Sequence, residues 1–94
     1  MTVHTRKTLQ EQTFDSRKAV IRYELARIVD MQFGFSIERN GWDSTVSEAC
    51  GGDRFITVLA RILGETFPFV RESDFAVAET MTFDQLAAAI NTAV

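Results

Sequence analysis

Apolar residues return at steps of three and four in three separated blocks, and that spacing confines the chain to an all-α fold. Val20, Ile21, Leu25, Ile28 and Val29 form the first block. Phe55, Val58, Leu59, Ile62, Leu63 and Phe67 form the second, with Ile56 and Ala60 widening its face. Phe83, Leu86, Ala87, Ile90 and Val94 form the third. The run Phe55-Ile56-Thr57-Val58-Leu59 has the composition of a strand when taken alone, but the recurrence through Phe67 favours a helix. Start and stop signals bracket each block. Asp15-Ser16 can cap the first helix, and Gly34 supplies its left-handed end. Asp53 is the expected N-cap of the second, which Pro68 ends. Thr82-Phe83-Asp84-Gln85 reads as a capping box for the third.

The connections carry their own signals. Phe35 to Gly52 is a long loop with turn signals at Asn40-Gly41 and Asp43-Ser44. Loops of this length are usually pinned or functional, and Ile37, Trp42, Val46 and Cys50 are the expected pins. Thr45 with Glu48 makes a second capping box, so a short helical turn over Thr45–Cys50 is possible. Phe69-Val70 is an apolar link, and Arg71 to Ala78 reads as a turn or short third helix with Ser73 as its cap. Residues 1–14 lack a sustained period and read as a flexible N-terminal arm, leaving 15–94 as one helical domain. Arg17, Arg22 and Arg27 fall off the first stripe, and Glu24 is expected on the surface, paired with Arg27 or Arg17.

Charge and residue counts exclude several functions. The net charge is -3, and the few cations near the N-terminus are separated by polar residues, which argues against nucleic acid as a partner. Arg54 and Arg61 on one helix after a glycine turn resemble a helix-turn-helix module only superficially, given the acidic balance and the long preceding loop. Cys50 is the only cysteine, so no intrachain disulfide can form, and it reads as a small buried hydrophobe. His4 is the only imidazole and lies in the expected arm. Glu48 and Asp53 have no nucleophile or histidine beside them, and no metal spacing, phosphate-binding glycine loop or triad is present. The expectation is therefore a non-enzyme. No apolar run approaches membrane-spanning length and the N-terminus lacks a signal-peptide core, so a cytoplasmic location without membrane contact is expected.

The stretch Asp43 to Phe55, with Gly51-Gly52-Asp53-Arg54-Phe55 at its end, resembles the loop entering the second helix of acyl and peptidyl carrier proteins. Their pattern there is Gly-x-Asp-Ser-Leu. The likeness extends over about Arg17 to Val94, through Glu65-Thr66-Phe67-Pro68-Phe69-Val70 and the ending Met81 to Ile90. It implies a carrier-protein-like four-helix bundle with a long loop between its first two helices and a short third helix. In that family the Ser carries 4'-phosphopantetheine. Here Arg54 stands at its position, and a guanidinium has no hydroxyl to receive the arm. Aligning on Phe67 instead puts Asp53 there, which is no better. Ser44, in the other Asp-Ser pair of this loop, is the alternative attachment site.

The family's second helix also presents acidic residues to partner enzymes, whereas this one presents Arg54 and Arg61. The resemblance thus implies a domain without the arm, acting by protein contact in or beside fatty acid, polyketide or nonribosomal peptide synthesis. Its expected contact residues are Asp53, Arg54, Thr57 and Arg61, and its expected partner is a synthase, a transferase or a second copy. The alternative is a working carrier of acyl or aminoacyl thioesters modified at Ser44.

Overall fold

Thr5 opens the chain's first helix, α1 (Arg6–Gln10), in a computed structural model that describes residues 2–94. This segment was expected as a flexible arm. Instead Leu9 is fully buried, the Arg6 guanidinium lies over the Phe69 ring, and Gln10 donates to the Val94 carbonyl. A single apolar residue on a five-residue helix carries no period, so no periodic signal marks the docking.

Helix α2 (Phe14–Phe33) is the longest. Thr13, rather than Asp15 or Ser16, caps it by accepting from the Ser16 amide, and Gly34 closes it at φ 65°. Its core face is Ile21, Leu25, Ile28 and Val29, as the period requires. The expectation for Glu24 was wrong in one respect: it pairs with Arg27, but it is 4% exposed rather than on the surface. Glu24 falls three residues after Ile21 and so lies on the buried stripe.

The connection that follows is less of a loop than its composition suggests. It contains α3 (Ile37–Asn40), capped by Ser36, and α4 (Val46–Cys50), which opens with the expected Thr45–Glu48 capping box. Ile37, Val46 and Cys50 are buried pins, and Trp42 is half-buried beneath the Arg22 guanidinium, 3.9 Å from its ring centre. Helix α5 (Asp53–Thr66) buries Ile56, Leu59 and Leu63, leading to fully buried Phe67. Pro68 then begins a 3-10 helix, Pro68–Glu72, earlier than the expected Arg71–Ala78 element. Ser73 opens no helix; it is the C-cap of this 3-10 helix, and its hydroxyl donates to the Val70 carbonyl and accepts from the Phe75 amide. Helix α6 (Phe83–Ala93) starts at the predicted Thr82–Gln85 box and buries Phe83, Leu86, Ala87 and Ile90.

The architecture is all-helical: six α-helices and one 3-10 helix, with no strand among the described residues. Helix α2 packs on α6, α5, α4 and α3. Arg17 bonds to Asn91 and Arg22 to Asp84, so α2 and α6 run antiparallel. The starts of α4 and α6 are joined by a backbone clasp. Val46 and Ser47 donate to Met81 and Glu79, Phe83 and Asp84 donate to Ser44 and Trp42, and Thr45 bridges Thr82. Among the described residues no helix is long and apolar enough to cross a membrane.

Candidate functional site

Two glycines set the geometry at the start of α5. Gly51 ends α4 at φ 88°, a left-handed conformation that an L side chain would strain. Gly52 is extended and stands at the N-cap position. Asp53 was expected to be that cap. It is the first helical residue instead, and no side chain bonds the free amides of this end. The Asp53 charge still suits the positive end of the helix dipole.

Ile56 and Leu59 turn inward, and the 3.6-residue repeat then points Arg54, Thr57 and Arg61 outward. All four expected contact residues, Asp53, Arg54, Thr57 and Arg61, are exposed. The Thr57 hydroxyl donates to the Asp53 carbonyl at 3.0 Å and so is satisfied within the helix. Arg54 and Arg61 make no ion pair among the described residues. Phe55 was assigned to the buried face but is 49% exposed. One edge of its ring meets Phe33 at 6.4 Å, and the remainder faces solvent beside Arg54. The stripe that packs begins at Ile56, one residue later than the sequence reading placed it.

This surface offers two guanidiniums, part of an aromatic ring, the Asp53 carboxylate and a Thr57 hydroxyl already bonded within the helix. Exposed guanidiniums of this kind can bond carboxylates and phosphates through their forked N–H groups. Ser44 lies in the clasp, 6% exposed. Its hydroxyl donates to the Asn40 carbonyl at 3.2 Å, and its own carbonyl accepts from Phe83. A transferase would have to open the clasp to reach it. Cys50, at the end of α4, is also buried, and desolvation pushes its thiol up to about 11. It is a neutral thiol near pH 7 and a poor nucleophile.

Sequence reasoning missed a polar cluster at the other end of α5. The His4 amide donates to the Thr66 carbonyl, its ring stacks on Phe67, and its Nε2 lies 3.7 Å from the Glu24 carboxylate. Arg27 donates to the same Glu24 oxygen at 3.1 Å, and that bond and charge raise the Arg27 pKa. Glu24's place on an apolar stripe was a usable signal; nothing in the sequence pointed to His4. Among the described residues no three His, Cys, Asp or Glu side chains gather as metal ligands. No protein-family model matches the chain, and neither a curated protein nor a solved structure matches it.

Proposed function

We propose that this chain is a carrier-protein-like helical domain that works by protein contact through the exposed face of α5, without a phosphopantetheine arm. In this reading α2, α5, the 3-10 helix and α6 correspond to the four helices of a carrier bundle, with α1, α3 and α4 added. The observation that carries it is the exposed, unpaired Arg54 at the position where the resemblance expects the attachment Ser, just after the Gly51-Gly52 turn. The partner is an acidic protein surface on a synthase or transferase, or a second copy of the chain, met by Arg54, Arg61 and Phe55. Thr57 and Asp53 lie between and beside them.

Incubation with coenzyme A and a broad-specificity phosphopantetheinyl transferase, followed by intact-mass spectrometry, tests the reading. No mass gain is expected, because the transferase finds no exposed Ser at the start of α5. A gain of one arm would overturn the armless reading. Ser44→Ala would then tell whether the buried hydroxyl had been reached.

A further inference from the structure

We infer that the cleft between α2 and α6 is a binding site for a small phosphate monoester with an apolar body. The cleft has a volume of about 400 Å³, within the range of small-ligand sites. Arg17, Lys18 and Arg22 line it against a single carboxylate, Asp84. Asp84 is already committed: it accepts from Arg22 at 2.7 Å, and that guanidinium also lies over the Trp42 ring. Arg17 is held differently. Its Nε donates to the neutral Asn91 amide oxygen at 2.6 Å, which orients the guanidinium and leaves both terminal nitrogens without a hydrogen-bond partner among the described residues. Lys18 makes no ion pair among the described residues. The lining of the cleft therefore sets three cations against one carboxylate, on a chain whose net charge is -3.

Local contacts offset this cluster only in part: Arg22 pairs with Asp84, Arg17 lies over Phe14, and Asp15 stands three residues before Lys18. Arg17 and Lys18 stand near the start of α2, where the helix dipole disfavours cations. Lys18 and Arg22 are four residues apart on one helix, a like-charge spacing that opposes folding. An anion between them relieves both. A phosphate monoester carries close to two negative charges near neutral pH, matching Arg17 and Lys18, and its oxygens suit the fork of a guanidinium. The apolar part of the ligand has a wall to meet. Phe14, 61% exposed, stands at the mouth under the Arg17 guanidinium, and Ala87 and Ala88 line the α6 side. The neighbouring depression, also bordered by Lys18 and Arg22, contains Asp15 and Glu38, so it lacks this excess of positive charge.

The test uses the full chain and 1-naphthyl phosphate, followed by calorimetry and by amide shifts in two-dimensional NMR. Binding is expected, with shifts centred on Arg17, Lys18 and Asn91. Inorganic phosphate and neutral 1-naphthalenemethanol are each expected to bind at least about tenfold more weakly, since each supplies half of the contact. R17Q/K18Q is expected to lower affinity by about tenfold or more, and K18Q alone, at an exposed residue without a partner, keeps the test open should the double variant unfold. Arg54→Gln, on the separate α5 face, should leave binding unchanged. Equal binding of the neutral alcohol, unchanged affinity in K18Q, or shifts confined to another face would overturn the assignment.

Discussion

Helices α5 and α6 bury similar apolar stripes but begin in opposite ways. Thr82 accepts from the Gln85 amide and Gln85 reaches back to the Thr82 amide, so the first turn of α6 is closed by its own side chains and tied to α4 through the clasp. The first turn of α5 follows two glycines and has no side-chain cap. Capped ends are what sequence can specify and packing can rigidify; an uncapped end leaves amides and exposed side chains available to something outside the chain. Arg54, which makes no ion pair among the described residues, and half-exposed Phe55 both stand at the uncapped end.

The contrast can be broken first at Phe83. It is fully buried at the first position of α6, and Phe83→Ala should cost about 3–5 kcal/mol by chemical denaturation. Phe55→Ala, in the first turn of α5, should cost far less because the ring is half in solvent already. Equal losses would mean that α5 is anchored at its start after all. Next, Thr82→Ala removes one side of the box and should cost about 1 kcal/mol. The Cys50 thiol, just before the glycine pair, reports on how tightly that junction is shut. Its pKa is raised from 9.0 to about 11, so the fold loses stability as pH climbs from about 9 toward 11, where the unfolded thiol ionises and the folded one resists. Iodoacetamide labelling near pH 8 should be much slower in the native protein than in denaturant; equal rates would show the junction open. The smallest effect is expected from Gly52→Ser. Gly52 is extended and an added Cβ meets nothing within 4 Å, so the new hydroxyl can cap α5 and should stabilise by only about a few tenths of a kcal/mol. A gain as large as the Thr82→Ala loss would show that the native end of α5 frays.

Legibility in the sequence followed the range of the interactions. The box at Thr82, the box at Thr45, the Gly34 end of α2 and the stripe of α6 depend on neighbours within four residues, and all were readable. His4 and Arg6 meet Thr66, Phe67 and Phe69, far along the chain, so the docked N-terminal segment read as an arm. Glu24 was sent to the surface by its charge, although its position on the stripe outweighed that charge once Arg27 was in reach. At the candidate site, the exposure of Arg54, Thr57 and Arg61 followed from the period. The release of Phe55 did not, because a face that is apolar at 55, 56, 58 and 59 leaves the boundary of the buried stripe undetermined until α2 is in place.

The amide protons of Val46, Ser47, Phe83 and Asp84 each point at a carbonyl from the other side of the clasp. Exchange of these protons with solvent deuterium requires two segments distant in sequence to separate together. The long connection between α2 and α5 therefore does not flap open by itself: its far half is stapled to the root of α6. Opening the clasp requires the starts of α4 and α6 to part, so it goes with the unfolding of the core rather than ahead of it. The protected core seen by exchange should then include this stretch of nominal loop, while the glycine-led start of α5, a few residues away, trades its protons early.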